Sequence, residues 1–176
     1  MEQPVVRPLM PADRQWVTGR IVGSWGAEYV VIHEKIYYPA ELPGFVAQAG
    51  SEIAGLLTYL IEGAACEVVT LDSWCEGRGV GTALIEAVKI SARKAGCQRL
   101  WLITTNDNTH ALRFYQKRGF TLADIHFNAV AKARLLKPEI PLTGADGIPI
   151  RDELELEMAL KPLSTYKADE ADEFDH

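Results

Sequence analysis

The stretch EGRGVGTAL, at residues 76–84, combines residue types and spacing suited to binding an anion. Gly77, Gly79 and Gly81 alternate with other residues, a β-branched run precedes them, and a helix-forming run follows at once. Glycine lets a backbone turn sharply and approach a ligand closely. Unpaired N–H groups and the helix dipole at the start of a helix attract negative charge. The pattern therefore predicts a concave cradle for a phosphate or pyrophosphate group.

Two familiar phosphate-binding patterns do not match this stretch. A P-loop needs a lysine followed by serine or threonine directly after its last glycine, whereas Thr82 follows Gly81 here. A dinucleotide fingerprint, GxGxxG, would need its third glycine where Thr82 or Leu84 stands. A glycine-rich turn that binds nothing is the remaining alternative at this point.

A second patterned stretch, NTHALRFYQKRGF, occupies residues 108–120. Together the two stretches resemble the GNAT superfamily of acyl-CoA N-acetyltransferases. The first is similar to the family's pyrophosphate loop, Q/R-x-x-G-x-G/A, with Glu76, Gly79 and Gly81 at the three fixed positions. The second is similar to the family's motif N-x-x-A-x-x-F-Y-x-K-x-G-F, matched here by Asn108, Ala111, Phe114, Tyr115, Lys117, Gly119 and Phe120. The likeness is good over residues 66–121 and looser beyond them.

Glu76 departs from the glutamine or arginine that the family usually has at this position. The family's loop grips pyrophosphate mainly through main-chain N–H groups, so the resemblance tolerates the change. A carboxylate aimed at the phosphates would weaken binding. We therefore expect the Glu76 side chain to face solvent or a neighbouring base such as Arg78, which stands where the family's loop usually has arginine.

The resemblance implies acetyl-CoA as co-substrate, no metal, and direct transfer of the acetyl group to a primary amine in a ternary complex. In the family, the pantetheine arm lies along the strand that precedes the loop. The residues implied in CoA binding are Leu71, Ser73, Arg78, Gly79, Val80, Gly81, Thr82 and Asn108. For Asn108, starting the following helix is the alternative role.

Glu67 and Tyr115 are the candidates for proton transfer. Glu67 lies six residues before Ser73, roughly 20 Å along an extended strand at ~3.3 Å per residue, about where the thioester should end. Some family members use a glutamate here as the base, which requires a pKa raised by burial. His33, His110, a base acting through water, or no base at all are the alternatives. Tyr115 matches the family's tyrosine whose hydroxyl reaches the CoA sulfur, and a core aromatic is its alternative role.

The amine acceptor is expected to lie against residues 25–43, a segment rich in aromatic side chains. The candidate walls of its pocket are Trp25, His33, Tyr37 and Tyr38. Packing in the hydrophobic core explains the same aromatic residues equally well.

The elements that must position these residues follow from hydrophobic periodicity. Residues 44–50 and 52–63 indicate two strands joined by a tight turn at Gly50-Ser51. Strand 66–74, helix 82–95 and strand 98–104 form a βαβ unit, whose strands should be parallel. The other predicted elements are a strand at 5–9, a helix at 11–25 with Asp13 as its N-cap, a helix or irregular loop at 25–43, a helix at 109–119, a strand at 120–125, a helix at 127–137 and a strand at 149–160.

This order predicts an α/β (α+β) domain of the GNAT type. Its sheet should be mixed, twisted and mostly antiparallel, with one parallel βαβ unit at the CoA site and helices on both faces. A length of 176 residues favours one domain, which we place at residues 1–162. Residues 163–176 carry five acids and one base and are expected to form an acidic tail.

Composition limits the partners. The net charge is −6, of which the tail supplies −4, so the nearly neutral body argues against nucleic acid. No apolar run approaches the ~20 residues of a membrane span. Three cysteines without CxxC spacing favour reduced thiols in the cytoplasm. The expected partner is a small-molecule or peptide amine, and the resemblance adds a possible homodimer. The rival interpretation is an acyl-CoA-binding regulatory module without catalytic activity.

Overall fold

The computed structural model describes residues 3–162, in which a seven-stranded sheet carries helices on both of its faces. The strands are β1 Val5–Pro8, β2 Val30–Ile32, β3 Lys35–Tyr37, β4 Gly44–Ala49, β5 Glu52–Glu62, β6 Ala65–Ser73, β7 Arg99–Thr105, β8 Thr121–His126 and β9 Glu153–Ala159. The helices are α1 Arg14–Trp25, α2 Val80–Lys94, α3 Thr109–Lys117 and α4 Ala129–Leu136, with short 3₁₀ turns at Pro11–Asp13 and Pro39–Glu41. The predicted tail, residues 163–176, lies outside the described residues.

The large sheet has the strand order β1-β4-β5-β6-β7-β9-β8. Strands β6 and β7 are parallel and joined by α2, whereas every other neighbouring pair is antiparallel. This confirms the predicted fold class, including the βαβ unit. The parallel pairing is short, because only Ala65–Glu67 pairs with Arg99–Trp101. Beyond Glu67, the facing edges of β6 and β7 are no longer bonded to each other.

Two hydrophobic clusters lie on opposite faces of the sheet. Residues that follow each other along a strand belong to different clusters, since Leu56 packs with α1 and Leu57 packs with α2. The α2 side includes Leu84 and Val88, both fully buried, at the spacing expected for one helix face. The helices therefore cover both faces, as predicted.

Residues 25–43 correct the sequence-based expectation of a helix or irregular loop. Strands β2 and β3 form a separate antiparallel hairpin there. Its turn is His33-Glu34, and both residues have positive φ, 45° and 64°. Two central residues with positive φ make the type of turn whose twist matches that of a hairpin. The β-branched residues on both sides of the turn favour strands over a helix.

Asp13 is the N-cap residue of α1 by position, as the sequence suggested, but its carboxylate bonds elsewhere. Its side chain makes no capping bond to α1. The two carboxylate oxygens accept hydrogen bonds from the Arg7 guanidinium at 2.8 and 3.0 Å, and one also accepts from the Met10 N–H. The hydrogen bonds from Arg7 lower the pKa of Asp13. The same bonds connect β1 to the start of α1, because Arg7 belongs to β1 and Asp13 directly precedes α1.

Candidate functional site

A cleft of about 640 Å³ lies where β6 ends and α2 begins, with α3 as its other wall. Its lining consists of Leu71, Asp72 and Ser73 from β6, Cys75, Glu76, Gly77, Gly79, Val80, Gly81 and Thr82 from the glycine stretch, and Asn108, His110, Ala111, Arg113, Phe114, Tyr115, Lys117 and Arg118 from the region of α3. Most of the residues predicted to bind CoA therefore surround one cavity.

The start of α2 offers this cleft a set of free backbone donors. Gly77 and Gly79 have φ values of 73° and 71°, which favour glycine. Gly79 is the N-cap, and its carbonyl accepts the N–H of Ala83 at 2.9 Å. The N–H groups of residues 80–82 therefore precede the first intrahelical donor, the N–H of Ala83, and have no acceptor within the helix. Together with the helix dipole, they suit a phosphate group.

Gly81 packs closely against the Phe114 ring of α3. A Cβ atom at this position would lie 2.8 Å from the Phe114 ring. The missing side chain lets α3 close against the first turn of α2. The glycine that the sequence suggested for a ligand is thus also the contact that fixes the width of the cleft.

Glu76 and Arg78 do not pair with each other in the described part of the chain. Both side chains are exposed. Glu76 lies among the lining residues, whereas Arg78 does not. The predicted role of Arg78 in CoA binding therefore stays a prediction and draws no support from the cleft.

Asn108 has the capping role considered for it in the sequence, and its contact with CoA stays a prediction. It is the N-cap of α3, and its Oδ1 atom accepts the N–H of Ala111 at 3.1 Å. It also lies in the lining of the cleft. The capping bond fixes the Asn108 side chain beside the cleft. From there we predict that it contacts the ligand.

Tyr115 belongs to the core and to the cleft at once. Its ring makes edge-to-face contacts with Phe114 and Phe120, at centroid distances of 5.2 and 5.4 Å. The residue is 8% exposed and lines the cleft. Burial, with a smaller effect of the Asp72 charge, raises the pKa of Tyr115 above its usual value. The hydroxyl therefore keeps its proton at neutral pH.

Glu67 is buried on the face opposite α2, at the last paired position of β6 before the ladder with β7 ends. Its carboxylate accepts a 2.8 Å hydrogen bond from the hydroxyl of Tyr37. Burial raises the pKa of Glu67, while the Tyr37 bond and the Lys35 charge act against the rise. Glu67 does not belong to the lining of the cleft.

The four residues predicted to contact the acceptor each have different neighbours. Tyr37 is buried and bonded to Glu67. Trp25 donates from Nε1 to Asp72 at 3.4 Å, near the cleft. His33 bonds to Glu153 through its N–H at 3.0 Å and its ring at 3.1 Å. Tyr38 is exposed, and its ring centroid lies 6.1 Å from that of Tyr29.

Sequence reasoning missed Asp72 and Arg118. Asp72 lies between Leu71 and Ser73 and faces both the cleft and Trp25. Burial raises the pKa of Asp72, with the Trp25 bond opposing it. Its position between two predicted contacts was the available signal. Arg118 occupies a variable position of the second motif, so the pattern gave no reason to select it.

Other classes of site find little support between residues 3 and 162. In this range, no group of three or more His, Cys, Asp or Glu side chains is arranged to hold a metal ion. None of the four described helices has the length and apolarity to cross a membrane. The three cysteines are free, and Cys66 and Cys97 are buried.

Comparison with known proteins agrees with the geometry. The model of the acetyltransferase (GNAT) family matches residues 13–120. Two relatives are uncharacterised proteins of Bacillus subtilis. YdhI is 45% identical over 85% of this chain and 94% of its own length, and YxbD is 48% identical over 84% of this chain and 93% of its own.

Solved structures share the fold at low sequence identity. An acetyltransferase of Bacillus subtilis in complex with CoA gives a TM-score of 0.64 at 20% identity, covering 90% of this chain and 100% of that one. A GNAT acetyltransferase of Elizabethkingia anophelis with acetyl-CoA bound gives 0.62 at 20%, covering 91% and 100%. The ribosomal-protein-S18-alanine N-acetyltransferase of Escherichia coli gives 0.61 at 15%, covering 94% and 99%.

Proposed function

This chain belongs to the GNAT family of acetyltransferases, and we propose that it moves the acetyl group of acetyl-CoA to a primary amine. The observation that supports the proposal is the position of two candidate proton-transfer residues relative to β6. Tyr115 lines the cleft beside the carboxyl-terminal end of that strand, and Glu67 lies where its pairing with β7 ends. Acetyl-CoA bound along β6 would extend from Tyr115 towards Glu67.

The free N–H groups at the start of α2 hold the pyrophosphate in this proposal. Leu71 and Ser73 provide the strand edge for the pantetheine arm, and Asn108 contacts the same arm from the start of α3. All three residues line the cleft, which supports these roles. Glu76 is exposed although it belongs to the lining, and in this proposal its carboxylate turns to solvent when CoA binds, since its charge opposes that of the phosphates.

Glu67 acts as the base. An ammonium group has no lone pair for attack on a thioester, so the acceptor must first lose a proton. The Glu67 carboxylate accepts that proton, and its raised pKa brings it closer to the value that a base needs near neutral pH. The freed amine then attacks the carbonyl carbon and forms the C–N bond as the C–S bond breaks, and the nitrogen releases its second proton to solvent to give the neutral amide.

Tyr115 acts as the acid. The leaving thiolate of CoA takes the phenol proton, and solvent later returns a proton to Tyr115 and removes one from Glu67. A general acid or base typically contributes about 10²- to 10⁴-fold in rate. Burial raises the pKa of Tyr115, which keeps the phenol protonated before the reaction but makes it a weaker proton donor. The support for this role is therefore the position of Tyr115 in the lining of the cleft.

The acceptor approaches from the side of the β2–β3 hairpin, because Tyr37 and Glu67 meet there. Its identity stays open, since a shared fold at low identity leaves the substrate undefined. We place the reaction in the cytoplasm, in keeping with the free cysteines. A small molecule or a peptide amine and a homodimer remain expectations.

The test measures CoA thiol release from acetyl-CoA with a panel of amines, each compared with acetyl-CoA alone. Amine-dependent release, together with an acetylated product of the expected mass, supports the enzyme. Tight CoA binding without turnover on any amine favours instead the regulatory module that binds acyl-CoA but does not catalyse. Absence of CoA binding overturns both.

A further inference from the structure

Arg118, the residue directly after α3, is held by neutral groups at the wall of the cleft. Its Nε atom donates to the Thr82 hydroxyl at 2.8 Å, and its Nη1 atom donates to the Phe114 carbonyl at 2.8 Å. The guanidinium carbon lies 3.5 Å from the centroid of the Phe114 ring. These contacts fix the side chain and leave Nη2 without an acceptor among residues 3–162.

No carboxylate in the described range lies within ion-pair distance of Arg118. The partly buried guanidiniums of Arg7 and Arg99, by contrast, each bond to acidic side chains. Burial lowers the pKa of Arg118, and no acid opposes that effect. A positive charge that has lost part of its water and has no counter-ion is a ready partner for an anion.

The position of Arg118 directs that charge to the start of α2. Thr82, its hydrogen-bond partner, lies in the first turn, where the backbone N–H groups are free. Arg118 itself belongs to the lining of the cleft. The helix N-terminus and the guanidinium therefore attract the same negatively charged group from two sides.

We propose that Arg118 is a phosphate-binding residue for the CoA substrate, with Thr82 and Phe114 holding it in place. This inference rests on the proposed function, in which CoA occupies the cleft. A contact from Arg118 would also explain how the glycine stretch can bind phosphate without a cationic side chain of its own in the cleft. Glu76 stands where the family has glutamine or arginine, and Arg78 lies outside the lining. In this chain the cationic contact comes from the end of α3.

Two phosphate groups of CoA could meet Arg118, the pyrophosphate or the 3′-phosphate of the ribose. The bond to Thr82 favours the pyrophosphate, because both then lie at the start of the same helix. 3′-Dephospho-CoA retains the pyrophosphate and lacks the other group. Comparing the two ligands therefore identifies the phosphate that Arg118 contacts.

The test is calorimetric titration of Arg118→Gln with CoA and with 3′-dephospho-CoA. Loss of a charged hydrogen bond should weaken CoA binding about 10- to 100-fold. An equal loss for both ligands assigns Arg118 to the pyrophosphate, and a loss for CoA alone assigns it to the 3′-phosphate. Either result supports the proposal. Unchanged CoA affinity in the folded variant overturns it.

Arg93→Gln is the matched control, since it removes the same charge from the last turn of α2, at the far end from the cleft. Its affinity for CoA should equal that of the wild type. Thr82→Val serves as a second variant, which keeps the arginine but removes its anchor. It should give a smaller loss than Arg118→Gln, and thermal melting shows whether each variant is folded.

Measuring CoA binding and amine acetylation separately distinguishes a failure of this inference from a failure of the proposed function. If the wild type binds CoA but acetylates no amine, the role of Arg118 is still tested by titration. If the wild type acetylates an amine, Arg118→Gln should raise the KM for acetyl-CoA and leave kcat nearly unchanged. A fall in kcat at unchanged KM would contradict a binding role.

Discussion

The hydroxyl of Tyr37 donates a 2.8 Å hydrogen bond to the carboxylate of Glu67, joining the β2–β3 hairpin to the centre of the large sheet. Both residues are buried, at 6% and 5% exposure. Burial raises the pKa of Glu67, and the bond from Tyr37 opposes that rise by stabilising the charged carboxylate. Tyr37 thus sets the proton affinity of the candidate base, and this relationship can be tested.

Replacing Glu67 with glutamine should remove the base while keeping the shape of the side chain. We expect kcat to fall by about 10²-fold or more, and the fall of the rate at acidic pH to disappear. The pH dependence of kcat/KM measures both effects. Asp72→Asn is the comparison, since Asp72 is another carboxylate on β6 with a raised pKa. If Asp72→Asn instead abolishes the acidic limb, the roles assigned here are reversed.

Replacing Tyr37 with phenylalanine should shift the acidic limb of the rate profile to higher pH. The Tyr37 bond lowers the pKa of Glu67, so removing the bond raises that pKa further. A base with a higher pKa is deprotonated only at higher pH, which sets the direction of the shift. Tyr38→Phe is the control, because Tyr38 is exposed and does not bond to Glu67. A limb that stays in place, or moves to lower pH, contradicts the assignment.

Replacing Tyr115 with phenylalanine should lower kcat by about 10²-fold and leave the affinity for CoA nearly unchanged. The ring contacts with Phe114 and Phe120 remain, so only the proton donor is lost. Rapid-quench kinetics and CoA titration separate the two quantities. Tyr59→Phe, which removes a phenol hydroxyl elsewhere on the same side of the sheet, should retain full activity. An unaltered rate in Tyr115→Phe would remove it as the acid.

Replacing Gly81 with alanine should destabilise the fold and weaken CoA binding. The new methyl group would meet the Phe114 ring at 2.8 Å, and such overpacking typically costs about 1–3 kcal/mol. Combining it with Phe114→Leu should reduce that cost, because the ring that clashes is gone. Chemical denaturation gives the free energies of unfolding for all four members of the cycle.

Gly19→Ala provides a control of opposite sign for the same substitution. Gly19 lies within α1, and nothing lies within 4 Å of its added Cβ. Alanine there should stabilise the helix by roughly 0.5–1 kcal/mol. If Gly81→Ala were as well tolerated, the close contact with Phe114 would not be what selects glycine at residue 81.

The sequence by itself determined most of the elements, though not the β2–β3 hairpin, and the motif-bearing parts of the cleft. The Gly50-Ser51 hairpin, the βαβ unit and the apolar face of α2 all follow from patterns within short segments. The two motifs lie next to each other in the fold because the βαβ connection brings the starts of α2 and α3 to the same end of the sheet. Glycine spacing and helix N-termini depend on residues that are close together in the chain, so they can be predicted from sequence.

Only the tertiary structure decided which distant side chains meet. The register between β5 and β6 shifts between Thr58 and Tyr59, which leaves Val69 without a partner and interrupts the simple alternation of faces. The contacts Tyr37–Glu67, Trp25–Asp72 and Arg118–Thr82 each join different elements, and no period in the sequence specifies them. Their formation depends on how the hairpin, α1 and α3 pack against the sheet. The positions of the candidate base Glu67, of the half-buried Asp72 and of Arg118, which has no ion-pair partner among residues 3–162, are therefore a result of packing.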